Sequence, residues 1–375
     1  MSSLPSFDPG FSTEALTDLY SPESTVGALL TFEASLALAL ADVGLAPRAE
    51  AEATADACRN GVEDPVAILT STWETGTPIL ALRDHVGGGE WFHYGATTQD
   101  AVDTAQMIQA RSALTILDTH LVAIASRLRD LTSEHRSQPQ MGRTFLQDAR
   151  PTTFGFRTAT WLDAVLGHIV ELRHQQSLLA VQLGGPVGTG DAYGEQRQEV
   201  VGALADRLRL RAPDISWHSN RSGVLALAQA VERTARTLAK IGTDIALLGS
   251  SSIAEVKVRS GGSSSMPEKQ NPIDAMRAVA AATACGGATA MLTTASPAQL
   301  DRAVGGWHVE WIALPLVFQT AGAAAEAIAT CLDSLEVDST RMGAGLESAT
   351  SDNPQVDAVL AACEEIISQL PHSPR

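Results

Sequence analysis

The chain has 375 residues, of which 45% are hydrophobic and only 5% aromatic, and its formal net charge at pH 7 is −17. This excess of negative charge repels nucleic acid and anionic membrane surfaces, so we expect neither as a partner. The apolar residues are mostly Ala and Leu, which favours long helices packed through small side chains over β-sandwiches.

Residues 1–98 contain the shorter predicted helices, among them residues 24–43 and 65–85, and are predicted to form an N-terminal helical domain. The first residues lack the basic and apolar parts of a signal peptide. The apolar run at residues 278–292 is too short and too rich in Ala, Thr and Gly to cross a bilayer. We therefore predict a cytoplasmic protein without a membrane partner.

The four cysteines lie far apart in the sequence, at Cys58, Cys285, Cys331 and Cys363. No two of them have the spacing of a redox or zinc motif, so they are expected to be reduced core residues, with one surface thiol left open. No nucleotide-binding fingerprint or metal-ligand set is visible either. We expect neither a metal nor a cofactor.

Residues 99–340 carry the clearest periodicity and are predicted to form a central bundle domain. Two series of apolar positions recur every three or four residues, as in long helices packed at shallow angles. The first series is Leu114, Leu117, Leu121, Ile124, Leu128 and Leu131, and the second is Val224, Leu227, Val231, Thr234, Leu238, Ile241, Ile245 and Leu248. Further long helices are expected at residues 153–183, 272–294 and 307–335. No alternating strand pattern of useful length is visible, so an all-α bundle is predicted.

The most informative segment is the loop at residues 261–272, with the sequence GGSSSMPEKQNP. Its glycines let the backbone bend freely, which allows the hydroxyl of Ser263 and the cation of Lys269 to share one small site. Asn271 is placed to cap a helix that begins at the following proline, with Asp274 at its third position. A hydroxyl, a cation and a helix N-terminus together suit a reaction in which negative charge develops beside a substrate carboxylate.

This loop resembles the Gly-Ser-Ser-x-Met-Pro-x-Lys-x-Asn-Pro signature of the fumarase/aspartase superfamily and matches every fixed position. The resemblance covers roughly residues 12–345 and implies an all-α long-helix bundle in which Ser263 carries the proton. Lys269 and Asn271 would stabilise the charge that develops. Members form tetramers with a many-helix core, and each active site draws its segments from different subunits. Residues 341–375, with one short predicted helix at 354–370, would be the remnant of a C-terminal domain.

Residues 93–104 resemble a second segment of the superfamily, in the form that its 3-carboxy-cis,cis-muconate cycloisomerase branch carries. The resemblance implies that His93, Thr97, Thr98 and Gln99 bind a substrate carboxylate through hydroxyl and amide donors where a helix begins. The alternative is that Thr98 only caps that helix. Capping and binding are compatible.

Residues 142–152 resemble a third segment, in which Arg143, Thr144 and Gln147 are expected to bind a second carboxylate. The chain departs from its relatives here, because Phe145 and Asp148 stand where different members carry a histidine. The departure leaves the general acid unassigned. It also argues against the fumarase, argininosuccinate and adenylosuccinate branches.

Arg221 and Arg302 lie in shorter segments that resemble the cycloisomerase branch, and they are expected to bind substrate. The sequence leaves open whether they face the pocket. His218 and His308 lie in the same segments and are candidates, with His93, for proton transfer. The other histidines are expected to be structural.

The resemblance implies a reversible addition or elimination α,β to a carboxylate, with a small di- or tricarboxylate and further copies of the chain as partners. The expected reaction is the lactonisation of 3-carboxy-cis,cis-muconate to 4-carboxymuconolactone, in the protocatechuate branch of aromatic degradation. One alternative is a lyase that expels an amine or nitrite from a substituted succinate to give fumarate; Glu268, which replaces a histidine of the cycloisomerase branch, keeps it open. Another is a non-catalytic helical scaffold, against which the intact Ser263 and Lys269 argue.

Overall fold

A computed structural model of the protein describes residues 8–87, 89–266, 268–346 and 353–368, so Pro267 and the predicted helical residues 369–370 lie outside it. The helices are α1 (Glu14–Leu19), α2 (Pro22–Asp42), α3 (Arg48–Arg59), α4 (Pro65–Thr75), α5 (Pro78–Val86), α6 (Thr98–Glu134), α7 (Phe154–Leu178), α8 (Arg197–Leu208), α9 (Ser222–Leu248), α10 (Ile273–Ala295), α11 (Gly306–Asp333), α12 (Ser339–Gly343) and α13 (Pro354–Ser368). Short strands are β1 (Pro139–Thr144), β2 (Gln147–Thr153), β3 (Val256–Lys257) and β4 (Glu336–Val337), and 3-10 helices occupy Asp8–Phe11 and Asp191–Gln196. The predicted all-α class is confirmed.

The five long helices α6, α7, α9, α10 and α11 pack around one core, as the apolar series predicted. Every residue of both series is at most 5% exposed. Small residues allow the helices to approach closely. At Gly242 of α9, for example, an added Cβ would lie 3.1 Å from the carbonyl oxygen of Ala275 in α10. The high alanine content of the chain is thus explained by close helix packing.

A second core forms around α2, which packs against α3, α4, α8 and the start of α6. Leu36 and Leu40 of α2 and Leu204 of α8 are completely buried in it. α8 follows α7 in the chain but contributes its buried residues to this N-terminal core. The domain limits at residues 98 and 340 stay predictions.

The helix expected at residues 65–85 is two helices. Gly76 adopts a left-handed conformation (φ 79°) that ends α4, and the Thr77 side chain then caps α5. The apolar pattern continues across this break because both helices face the same core, which is why the break does not appear in the periodicity.

The sequence analysis was wrong in finding no useful strand, because β1 and β2 form an antiparallel hairpin between α6 and α7. Only Gln140 and Thr153 of its strand residues are buried, so the alternation that marks a half-buried strand is missing. Phe145 and Leu146 form the turn with positive φ values of 52° and 61°, the mirror-image turn that suits strand twist. The Phe145 side chain is 99% exposed at the tip.

Helices α6, α9 and α11 run in one direction and α7 and α10 in the other, so the functional segments fall at two opposite ends of the bundle. At one end, which we call the Thr97 end, Arg302 after α10 donates to Thr97 before α6, and Trp307 of α11 donates to Asp103 of α6. At the other end, which we call the Ser263 end, the loop before α10 lies next in the chain to the β3–β4 pair. α10 joins the two ends, and its 23 residues span about 35 Å.

Within the described ranges, three helices, α2, α10 and α11, are long and apolar enough to cross a membrane by length and composition alone. α10 is longer than the apolar run that the sequence shows, so the argument from its length was wrong. The apolar windows of α2 and α11 are 61% and 67% buried inside the protein, and that of α10 is 39% buried. Packing in the two cores therefore accounts for most of the apolar surface of α2 and α11.

The four cysteines are free and buried, as expected of core residues. Burial raises the pKa of the Cys285 and Cys331 thiols to about 12. These two side chains therefore stay protonated and act as small apolar groups in the bundle core.

We expect Gly155→Ala to lower the free energy of unfolding by about 1–3 kcal/mol, because the added Cβ overlaps backbone atoms that cannot rotate away. It would lie 2.6 Å from the Cα of Arg136 and 2.8 Å from the carbonyl oxygen of His135. Urea unfolding measures the change. The control is Gly202→Ala in α8, where nothing lies within 4 Å of the added Cβ and where alanine favours the helix. Equal stability of the two variants would contradict the expected clash.

Candidate active site

The loop at residues 261–271 is closed at its base by an antiparallel bridge. The N–H of Gly261 donates to the carbonyl oxygen of Asn271 at 2.9 Å, and the N–H of Asn271 donates to that of Gly261 at 3.4 Å. A Cβ on Gly261 would lie 2.3 Å from Cγ2 of Ile273. Close approach to the start of α10 therefore requires glycine here.

The hydroxyl of Ser263 accepts hydrogen bonds from the backbone of its own loop. The N–H groups of Met266 and Ser265 donate to Ser263 Oγ at 3.1 and 3.4 Å. Donors aimed at a hydroxyl oxygen favour its alkoxide form. Lys269 is exposed in the same loop.

The start of α10 differs from the expected capping arrangement. The helix begins at Ile273 with Pro272 as N-cap residue, one position later than predicted. The bridge to Gly261 keeps Asn271 extended, and its side chain donates to the Gly262 carbonyl oxygen at 3.4 Å. Asp274 is buried and pairs with Arg259 at 2.5 and 2.9 Å instead of capping the helix.

At the Thr97 end, Arg302 is held by neutral acceptors. Its Nη2 donates to Thr97 Oγ1 at 3.1 Å and to the Pro186 carbonyl oxygen at 3.3 Å, and its Nε donates to Gln99 Oε1 at 3.2 Å. In the described part of the chain, no carboxylate lies within ion-pair distance of Arg302. Its half-buried charge is therefore open to an anionic ligand.

The cap of α6 is Thr97, not Thr98. The N–H of Thr97 donates to Asp100 Oδ2 at 2.9 Å in a reciprocal capping box. The Thr98 hydroxyl lies 2.7 Å from that of Thr77 at the start of α5. Thr98 thus links α5 to α6, and Thr97 is the residue that caps the N-terminus of α6.

Asp100 holds three chain segments together beside this cap. It is completely buried and also accepts from the N–H groups of Gly184 and Gly185 at 2.9 and 2.8 Å. Its Oδ1 lies 2.7 Å from Nε2 of His218. Four donors make an ionised buried carboxylate tolerable. His218 therefore contacts Asp100 in the protein interior and does not lie on an open surface.

Arg221 lies in the core and not on a cleft, which differs from the expectation that it binds substrate. It donates to Asp103 at 2.8 and 3.0 Å, to Glu310 through Nε at 2.9 Å and through Nη2, and to the Trp217 carbonyl oxygen. Burial alone would lower the pKa of Arg221, but the two carboxylates raise it well above its usual value. Burial in turn raises the pKa of Glu310. These bonds leave the guanidinium no donor for a ligand.

Gln99 is likewise completely buried. Its amide nitrogen donates to the His218 carbonyl oxygen at 2.9 Å and to Asp103 at 3.2 Å, and its oxygen accepts from Arg302. Gln99 therefore fixes the guanidinium of Arg302 in this conformation and makes no open contact of its own.

Within the hairpin, Arg143 is already paired with carboxylates. Its Nη2 donates to Glu255 Oε1 at 2.6 Å, and its Nε lies 3.2 Å from Asp148 Oδ1. The hydrogen bond to Glu255 raises the pKa of Arg143. Its Nη1 is buried without a partner. Thr144 and Gln147 are exposed beside the turn.

The candidate histidines occupy different surroundings. Nδ1 of His93 lies 2.7 Å from Oε1 of Glu33, and the His308 ring lies 4.7 Å from that of Trp311. Sequence motifs missed Glu33 and Glu255. The signal for Glu33 was a single carboxylate inside the apolar run of α2, which requires a partner when buried.

The three predicted segments do not meet within one protomer. The groups around Thr97 and Arg302 lie at one end of the bundle, whereas Ser263 and the hairpin lie at the other, about 35 Å away along α10. Among the described residues, no group of three His, Cys, Asp or Glu side chains is placed to hold a metal ion.

The two arginines of the Thr97 end should respond differently to substitution. We expect Arg221→Met to lower the free energy of unfolding by about 3–5 kcal/mol, because it leaves buried carboxylates unpaired. Arg302→Met should lower it by less, about 1–3 kcal/mol, because its partners are neutral and only one of them, Gln99, is buried. Thermal and urea unfolding of both variants measure the difference. A stable Arg221→Met variant would contradict the buried network.

Comparisons with known proteins agree with this architecture. A family model described as Lyase matches residues 11–286. The 3-carboxy-cis,cis-muconate cycloisomerase of Pseudomonas aeruginosa is 36% identical over 351 residues, which cover 90% of this chain and 76% of the relative. The crystal structure of the 3-carboxy-cis,cis-muconate lactonizing enzyme of Pseudomonas putida superposes with a TM-score of 0.84 at 29% identity, covering 98% of this chain and 88% of the other. A fumarate lyase structure from Mesorhizobium sp. BNC1 gives a TM-score of 0.84 at 28% identity, with 97% and 89% covered. The chain therefore belongs to this lyase family of the fumarase/aspartase superfamily and is an enzyme.

Proposed function

We propose that the enzyme catalyses a reversible addition or elimination α,β to a carboxylate, specifically the lactonisation of 3-carboxy-cis,cis-muconate. One carboxylate attacks a double bond of the same molecule, and the neighbouring carbon takes up a proton. The reverse reaction removes a carbon-bound proton from the lactone. Both directions pass through an enolate-like carboxylate with extra negative charge. The main support for this chemistry is the pair of backbone N–H groups that donate to Ser263 Oγ. The choice of substrate is supported by the similarity to cycloisomerases.

Ser263 is the proton carrier. A free serine hydroxyl is too weak a base at neutral pH, so the reaction requires a stabilised alkoxide. The N–H groups of Ser265 and Met266 supply two fixed donors, and the exposed Lys269 supplies a nearby positive charge in the loop. Fixed donors of this kind contribute about 3–4 kcal/mol each to the transition state.

Lys269 and Asn271 stabilise the developing charge at the Ser263 end. At the Thr97 end, Arg302 and Thr97 bind a substrate carboxylate, with His93 and Thr98 beside them and Gln99 holding the guanidinium. Arg302 suits this task because a ligand carboxylate would be its first anionic partner.

The hairpin binds a second carboxylate through Arg143, Thr144 and Gln147. Arg143 already touches Asp148 at 3.2 Å, so a ligand carboxylate would take the place of this exposed contact while the buried pair with Glu255 remains. Asp148 is 70% exposed and can move away without desolvation.

The functional enzyme is a cytoplasmic homotetramer whose sites combine segments of different subunits. The 35 Å separation of the two ends, about the length of α10, supports this assembly. Exposed apolar side chains on the bundle also support it, with Met276 at 58% and Ile312 at 57% exposure. The exposed tip of the hairpin at Phe145 provides a further apolar contact.

A lyase that forms fumarate from a substituted succinate is the second candidate. The similarity to a fumarate lyase structure favours it, as does Glu268, which adds a carboxylate to the loop. Incubation with 3-carboxy-cis,cis-muconate and with amino- or nitrosuccinate separates the two, because fumarate absorbs in the ultraviolet. Turnover of the succinates alone would replace the first proposal.

We expect Ser263→Ala to lower kcat by about a hundred to ten thousand-fold, the usual contribution of a positioned proton carrier. Its melting temperature should stay unchanged because the hydroxyl bonds only to its own loop. Ser264→Ala, at the exposed neighbouring position, is the matched control and should retain activity. A loss of less than about tenfold in Ser263→Ala would remove the residue from this role.

Mixed oligomers test the assembly. Ser263→Ala and Arg302→Gln should each be inactive, whereas their co-expression should restore a measurable fraction of the activity. Recovery is expected because some sites then combine an intact loop from one subunit with an intact Arg302 from another. Hybrids that stay inactive, although sedimentation shows a tetramer, would indicate that both residues come from the same subunit.

A further inference from the structure

Glu33 is a carboxylate in the middle of the apolar helix α2 and lies outside every motif described above. Its side chain is completely buried. Oε1 lies 2.7 Å from Nδ1 of His93, and Oε2 is buried without a hydrogen-bond partner among the described residues. A buried carboxylate with one partner is expensive, and truncating such pairs is strongly destabilising. A positive charge on its one partner, His93, would compensate this cost.

The groups that face this pair cannot supply that charge. On α3, burial and the charge of Glu33 raise the pKa of the Cys58 thiol to about 12, so the thiol is neutral. Burial also raises the pKa of Tyr193, whose hydroxyl donates to the Tyr94 carbonyl oxygen at 2.9 Å. Arg83 of α5 donates to the Phe92 carbonyl oxygen and forms no ion pair with Glu33. Among the described residues, the imidazole of His93 is the group in contact with Glu33 that can become a cation.

His93 is held in an unusual backbone conformation that brings its ring to this carboxylate. Its φ is 58°, in the left-handed region that a non-glycine residue adopts only at a cost in energy. Its side chain is 12% exposed. Nε2 makes no hydrogen bond within the described chain and is not among the fully buried unpaired atoms. The ring thus offers Nε2 to the surface while Glu33 holds Nδ1.

We propose that Glu33 is a positioning residue that holds His93 doubly protonated, so that Nε2–H serves as a charged donor for the substrate carboxylate. The step to a substrate rests on the proposed function, because it takes the turn before Thr97 to be part of the binding site. His93 lies four residues before Thr97, and its carbonyl oxygen accepts from the N–H of Ala96 in that turn. His93 thereby adds a second cation to the region of Arg302.

The charge state is tested by nitrogen-15 NMR of the full-length enzyme labelled in histidine, at pH 7. The signal that disappears in His93→Gln identifies His93. Both of its ring nitrogens should be protonated in the wild type and only one in Glu33→Gln. A neutral His93 in the wild-type spectrum would overturn the proposal, and this holds even if Glu33→Gln fails to fold. An unchanged charge state in a folded Glu33→Gln would overturn it equally.

The binding role is tested by steady-state kinetics with 3-carboxy-cis,cis-muconate. Glu33→Gln should raise KM about tenfold or more with a much smaller change in kcat, as expected for the loss of one charge-assisted hydrogen bond. In a His93→Gln background the same substitution should add nothing, because the two residues act as one unit. Glu23→Gln, at an exposed position in the first turn of α2, is the matched control. Additive effects in the double variant would refute the coupling.

The two measurements separate the failure of this inference from the failure of the proposed function. If the wild type turns over no muconate while the NMR signals behave as expected, the function is wrong and the Glu33–His93 pair stands. If muconate is turned over but His93 is neutral, the pair is wrong and the function stands.

Discussion

The close packing of five long helices, two of which run opposite to the other three, is the constraint on which the rest of this structure depends. Small residues such as Gly242 and Ala275 bring the helices close together, so each helix is held straight along the bundle by its neighbours. The two ends of α10 therefore stay about 35 Å apart. The proposed proton carrier at one end and the proposed carboxylate-binding cation at the other can act on one small molecule only if different copies of the bundle supply them.

The Thr97 end concentrates buried charge, and each charge has a distinct task. Asp100 gathers backbone donors from two segments and the imidazole of His218 from a third, and so fixes the start of α6. Asp103 and Glu310 enclose Arg221 and join α6 to α11. Arg302, by contrast, has neutral partners. In a chain with a net charge of −17, a site for an anion requires such a local cation, and the carboxylates nearby are neutralised by other groups.

Similar residue types therefore took different roles according to their surroundings. From the sequence, Arg221 and Arg302 were both expected to bind substrate, because each lies in a short segment that resembles the cycloisomerase branch. Burial separates them, since Arg221 is 3% exposed and its donors are all used. Gln99 was likewise expected to bind the ligand, but in the structure its side chain holds the guanidinium of Arg302. A sequence motif shows which residues occur together in enzymes that catalyse a given reaction. Their hydrogen-bond partners in the folded protein decide which of these residues can contact the ligand.

The sequence by itself determined the helical class, the long helices and the identity of the loop that carries Ser263. These features depend on local periodicity and on a contiguous signature, which are both written along the chain. Only the tertiary structure decided the hairpin at β1 and β2, the break at Gly76 and the partnership of Glu33 with His93, which are 60 residues apart. Such features depend on contacts between distant residues and on burial. A carboxylate has the same sequence letter whether water or an imidazole stabilises it.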